Sequence, residues 1–281
     1  MGSLARSRFA APFLSLVLLV LFLACWQLAV RDTQPTAGLD PEYAKLMGAA
    51  ATTGKSAIPT PLDVGRKLLA AVSDPFYDKG PNDKGIGTQL AFSLARVLLG
   101  FGLAMIVAIP VGFLIGMSPL VGATLNPFIQ ILKPVSPLAW MPLALYTIKD
   151  SSQSAIFVIF ICSVWPMLVN TAFGVAGVRR EWLNVARTLE VGAWRRATRV
   201  ILPAAAPTIF TGMRISIGIA WLVIVAAEML VGGTGIGYFV WNQWNNLSLA
   251  DILMGILLIG LVGMALDRML ALAAGAVTWR E

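Results

Sequence analysis

Six apolar runs, 9–30, 93–117, 121–148, 155–175, 208–231 and 252–273, limit what this sequence can become. Each reaches the ~20 residues that carry a helix across a bilayer core. In hydrocarbon the backbone must satisfy its own hydrogen bonds, and a helix does so within one segment. The chain therefore reads as an all-α membrane protein of six transmembrane helices. Apolar residues make up 58% of it and charged ones 12%. After six spans, 281 residues leave no room for a separate catalytic domain. There is no histidine, and both cysteines, Cys25 and Cys162, fall inside apolar runs. Serine–histidine, cysteine–histidine and histidine–metal chemistry are excluded, as is a disulfide framework. The reading assigns no catalytic residue, no metal ligand and no cofactor.

Charge placement predicts the topology. The net charge of +7 calls for no nucleic-acid partner, because basic residues collect in the cytoplasmic segments of such proteins. Segment 1–8 carries Arg6 and Arg8, and segment 178–204 carries six arginines. The loop 31–90 has seven basic residues balanced by seven acidic ones. The bias is met by cytoplasmic termini, a cytoplasmic 178–204 and an external 31–90, with a short helix predicted near 62–72 behind the rigid Ile58-Pro59-Thr60-Pro61. Run 9–30, basic at its start, reads as a retained anchor rather than a cleaved signal. Ala49 to Ser56 matches a relaxed phosphate-loop pattern, but no strand precedes it and Pro59 follows, so it reads as a chance match.

Within the bundle, Gly112-x-x-x-Gly116 and the row Gly212, Ser216, Ala220 predict faces of close helix contact. Run 121–148 holds Pro127, Pro134, Pro137 and Pro142. A helix so broken is tolerated where its freed carbonyls face protein or a wet cavity. Lys133 lies among these prolines, and a cation at mid-helix costs about 2.5–3.5 kcal/mol to insert. It faces a polar path, or it snorkels to the interface. Arg214 and Glu228 are too far apart on one helix to pair with each other.

The longest polar break in the second half is 178–204. Trp182, Val185, Ala186, Leu189 and Ala193 share one helical face; Glu181, Asn184, Arg187, Thr188 and Glu190 share the other. Gly192 predicts an end or kink, and Pro203 the opening of the next helix. Such a hairpin docks onto a soluble partner or lies on the lipid surface.

Here the residues carry a resemblance. Leu202-Pro203, Val200 two positions before that pair, Glu190 and Asn184-Val185-Ala186 align with the coupling motif of binding-protein-dependent ABC importer permeases: Glu-Ala-Ala, three residues, Gly, nine residues, Ile-x-Leu-Pro. The chain keeps the second alanine, an aliphatic residue at the isoleucine position and the Leu-Pro. It departs at the motif glutamate (Asn184) and the glycine (Glu190), with Gly192 two residues on as the substitute. Ile58-Pro-Thr-Pro-Leu-Asp-Val64, Ser93-Leu-Ala-Arg-Val-Leu-Leu-Gly100 and Ala226-Ala-Glu228 resemble the nitrate/sulfonate/taurine branch. Gly233-Thr-Gly-Ile-Gly-Tyr-Phe-Val-Trp-Asn-Gln-Trp is similar to its nitrate-type permeases.

The resemblance implies a type I importer permease fold in the bacterial inner membrane, coupled to a cytoplasmic ATPase subunit. It also implies a second permease copy, or a related permease, and a periplasmic or lipid-anchored substrate-binding protein. Trp182, Asn184, Val185, Ala186, Arg187, Thr188, Leu189, Glu190, Gly192, Leu202 and Pro203 become the expected ATPase-coupling residues. Lys133, Pro134, Pro137, Arg214 and Glu228 become candidates for the translocation path. The alternative for either cation is a structural ion pair, with Glu228 a candidate partner. Sulfonate, taurine, cyanate and bicarbonate stay open as cargo beside nitrate or nitrite. An intramembrane enzyme using Glu228 and Asp267, and a membrane anchor or sensor that recruits a cytoplasmic partner, are the readings from other classes.

Overall fold

The computed structural model describes residues 2–31, 58–80 and 83–277. Residues 32–57 and 81–82 of the 31–90 loop, Ala49 to Ser56 among them, lie outside the described residues, as do the side chains of 1–12, 31 and 277. The chain forms two compact units, Met1–Asp74 with Gln243–Gly255, and Pro75–Asn242 with Ile256–Glu281.

In the first unit, α1 (Gly2–Arg31) is a long apolar helix whose described side chains are mostly exposed, as a lipid-facing helix requires. Helix α2 (Pro61–Ser73) starts at a capping box: the Thr60 side chain accepts the Asp63 N–H while the Asp63 carboxylate accepts the Thr60 N–H. Pro61 fits the first turn, where no intrahelical N–H is needed. Lys67 pairs with Asp251 at 2.9 Å.

The core of the second unit is three helices: α3 (Ile86–Met117), α6 (Ser151–Ala176) and α9 (Leu202–Val231). Small residues let them touch. A side chain at Gly112 would strike the Leu168 carbonyl and Thr171, and one at Gly116 would strike the Ala172 carbonyl and Val175. The Gly112/Gly116 face is thus the seam with α6. On the row from α9, Gly212 meets Asn170, and Ser216 Oγ donates to the Ser163 carbonyl at 2.7 Å. Helix α3 begins at Ile86, earlier than the apolar run suggests, because its first turns carry the polar Gln89 and Ser93, both buried.

The proline-rich run divides. Helix α4 (Pro119–Leu132) and the segment Pro137–Ile148, made of a 3-10 turn and α5 (Trp140–Ile148), meet at 80°. Pro134 and Pro137 have no N–H to continue the ladder, and the break falls between them. Among the described residues, with that bent pair taken as one span, six helical segments are long and apolar enough to cross a membrane. Two further helices follow α9: α10 (Ile236–Asn245) and α11 (Leu249–Val277).

The polar hairpin folds as α7 (Arg180–Thr188) and a short α8 (Ala193–Arg196), which passes through a π turn (Ala197–Ile201) straight into α9. Pro203 therefore does not open a helix after a gap. The helical path is already running, and it widens just before the proline, with the Leu202 N–H reaching back to the Ala197 carbonyl.

Candidate functional site

The hairpin is built from its anchor outwards. Leu183 packs against a buried cluster of Val175, Val178, Ile201, Ala205 and Ile209, and Ala186 is also buried, at 5% exposure. These contacts leave the rest of the amphipathic face open. Trp182 is 42% exposed, Val185 59% and Leu189 70%. The face read from the sequence is therefore split, with Ala186 turned inward and Trp182, Val185 and Leu189 forming an outward stripe. Asn184, Arg187, Thr188, Glu190, Gly192, Leu202 and Pro203 are exposed. The Arg179 guanidinium lies 5.5 Å from the centre of the Trp182 ring, a cation–π contact that steadies the indole.

The turn after α7 accounts for the missing motif glycine. The Val191 N–H bonds to the Ala186 carbonyl at 3.0 Å and the Glu190 N–H to the Arg187 carbonyl at 2.9 Å. That pair of bonds defines a Schellman cap, which needs a left-handed residue between helix and exit. Glu190 is that residue, at φ 51°. Gly192, by contrast, is at φ −57° and merely precedes α8. The glycine has not moved to 192; the left-handed position stays at 190 and a glutamate occupies it.

Two ion pairs take up the charged candidates Glu228 and Arg214. Glu228 is 2% exposed and pairs with Arg96 at 2.7 Å. Neither Arg214 nor Lys133 is its partner, which corrects the pairing weighed from sequence. Its carboxylate also accepts the Gly237 N–H at 3.0 Å and sits 2.8 Å from Ser93 Oγ. Gln89 Oε1 takes the Gly235 N–H and Ser93 Oγ the Ile236 N–H. Three successive N–H groups at the start of α10 are thus capped by side chains from α3 and α9, where the helix dipole favours a carboxylate. Arg96 completes the clamp by donating to the Thr234 carbonyl and to Ser152 Oγ. Gly235 and Gly237 are needed here for room: a side chain at Gly235 would overlap the Glu228 carboxylate, and one at Gly237 the Val225 carbonyl.

Arg214 instead makes a bidentate pair with Asp267 at 2.9 and 2.8 Å, with both side chains over 40% exposed. It stands about 18 Å along a helix about 45 Å long. Lys133 and Pro137 border a cavity of about 210 Å³ beside the break, together with Trp140, Cys162 and Trp165. Pro134 is exposed and is not among its lining residues. Of the path candidates, only Lys133 and Pro137 are brought together. Sequence reasoning passed over Arg96, although a cation in an apolar run was the available signal.

The fold is that of type I ABC importer permeases. An inward-facing methionine ABC transporter, MetNI, superposes with a TM-score of 0.55 at 16% identity, covering 67% of this chain and 94% of that one. Residues 108–277 match the family described as binding-protein-dependent transport system inner membrane component. The chain belongs to that family. It is 42% identical over 226 residues to the nitrate import permease protein NrtB of Synechocystis sp., covering 80% of this chain and 82% of that protein. It is 43% identical over 226 residues to the bicarbonate transport system permease protein CmpB of Synechococcus elongatus, covering 78% and 80%. Membership makes it a multi-pass inner-membrane permease and implies an ATPase and a binding protein as partners.

Proposed function

We propose that this chain is the permease subunit of an ATP-driven nitrate importer, with nitrite as a related cargo. The observation that carries the cargo is the identity of 39–43% to nitrate permeases over most of the chain. The coupling role rests on the outward stripe of Trp182, Val185 and Leu189, an apolar ridge that suits a groove on an ATPase subunit, with Arg187 and Glu190 setting register at its rim. In this reading the hairpin and both termini are cytoplasmic, as the positive-inside bias of 178–204 supports. Two copies of the chain enclose one path, and ATP hydrolysis belongs to the partner ATPase. Arg214 with Asp267 lies on the path side, since a charged pair exposed at mid-helix is costly against lipid.

A second cargo, bicarbonate, is favoured by the 43% identity to its permease. Uptake of labelled nitrate and bicarbonate by proteoliposomes holding the chain, its ATPase and its binding protein tests both. ATP-dependent nitrate uptake, lost in Leu189→Arg with the bundle still folded, supports transport and coupling together. Uptake of bicarbonate alone replaces the cargo and keeps the importer. No uptake of either and no bound ATPase overturns the reading.

A further inference from the structure

The cavity beside the break in the third span has an unusual polar inventory. Its lining side chains are Lys133, Trp140, Cys162 and Trp165 with apolar Val135, two prolines and two isoleucines. Lysine offers three donors and no acceptor, an indole offers one N–H, and a thiol is a weak donor. No side chain among the described lining residues carries a carboxylate, amide or hydroxyl. The Lys133 ammonium and both indole N–H groups form no hydrogen bond or ion pair among the described residues. Lys133 is exposed, and an unpartnered cation in the middle of a membrane-spanning run is costly where lipid rather than water or a counter-charge meets it. A ligand that accepts hydrogen bonds and carries negative charge would offset that cost.

We infer that this cavity is a binding subsite for a small oxyanion that only accepts hydrogen bonds, with Lys133 as its counter-charge. The assignment deepens the transport reading and rests on it. Nitrate and nitrite are acceptors on every oxygen. Bicarbonate carries one hydroxyl, which finds no strong acceptor among the lining side chains and is left to a backbone carbonyl or water, at a cost nitrate does not meet. The same side chains thus admit the anion and discriminate between the proposed cargo and its bicarbonate alternative.

Cys162, buried on the cavity wall as a free thiol, reports on occupancy without reference to uptake. The assembled transporter carrying Cys25→Ala is treated with methyl methanethiosulfonate, and the labelling rate of Cys162 is followed against added nitrate or bicarbonate. Nitrate is expected to slow labelling severalfold and saturably, with bicarbonate needing about tenfold more for the same protection, and Lys133→Met is expected to abolish the nitrate effect. If Cys162 does not react at all, Val135→Cys, exposed on the same wall, takes its place as reporter. Equal protection by both anions, no protection, or protection that survives Lys133→Met overturns the subsite. Nitrate uptake without protection sinks this inference and leaves the transport reading standing. Uptake of bicarbonate alone, with nitrate still protecting, sinks the cargo and leaves the subsite.

Discussion

The two ends of α9 are held by opposite means. At one end Glu228 is sealed in a clamp with Arg96, Ser93 and the N–H of Gly237, and its exposure is 2%. At the other, the hairpin is held by a small apolar cluster around Ile201 and Ala205 and leaves Trp182, Val185 and Leu189 uncovered. A buried ion pair is a poor source of net stability, but removing one partner strands a charge in a dry interior. The sealed end therefore fixes geometry and tolerates little change. The open end has few contacts to lose and an apolar stripe to offer. Between them the Arg214–Asp267 pair is exposed on both sides, so the helix is fixed at one end and open at the other.

The largest break in this comparison comes from Glu228→Gln. It strands the Arg96 guanidinium and should cost about 3–5 kcal/mol, seen as a large fall in the melting temperature of the purified protein. Because each single change strands a group, Arg96→Gln with Glu228→Gln should cost less than the two singles added. Strict additivity would mean that the clamp is not a unit. Next in size is Gly235→Ala, whose new methyl group overlaps the Glu228 carboxylate and should cost about 1–3 kcal/mol through forced displacement. Gly260→Ala, where nothing lies within 4 Å, is the matched control and should be neutral or slightly stabilising. Equal losses at both sites would show that crowding against Glu228 is not the cause.

Arg214→Gln tests the exposed pair. Its melting temperature should fall far less than that of Glu228→Gln, while nitrate uptake by the assembled transporter falls. Exchange of the two charges, Arg214→Asp with Asp267→Arg, should recover part of that uptake. A melting loss matching Glu228→Gln would make this pair structural and erase the distinction.

Much of this was legible in the sequence. The apolar runs and the small-residue seams at Gly112 and Gly116 followed from periodicity, because both are local patterns. The amphipathic hairpin was legible too, but not its division into a buried Ala186 and an outward stripe, which depends on tertiary packing rather than on the helix's own pattern. The clamp was not legible because Arg96 and Glu228 are 132 residues apart, and no spacing rule links positions on α3 and α9. The α10 cap was hidden for a related reason. Gln89 and Ser93 read as polar residues ahead of an apolar run, and only the fold brings them to the N–H groups of Gly235 and Ile236. At Glu190 the residue type concealed the conformation, since a left-handed turn is normally announced by glycine.

That position supplies the smallest and most local prediction. A side chain in the left-handed region costs roughly 1–2 kcal/mol relative to glycine, so Glu190→Gly should stabilise the Schellman cap by an amount of that order. The gain belongs to the hairpin alone, so it should appear as slower hydrogen exchange at the Val191 and Glu190 amides, whose bonds close the cap. Amides at the start of α10 should exchange as before. Faster exchange at Val191 would mean that the glutamate side chain makes a contact worth more than the backbone strain, and slower exchange at both ends of α9 would mean that the two ends are energetically joined. Because Glu190 stands only at the rim of the proposed docking ridge, the variant should weaken ATPase binding slightly, whereas Leu189→Arg should not bind.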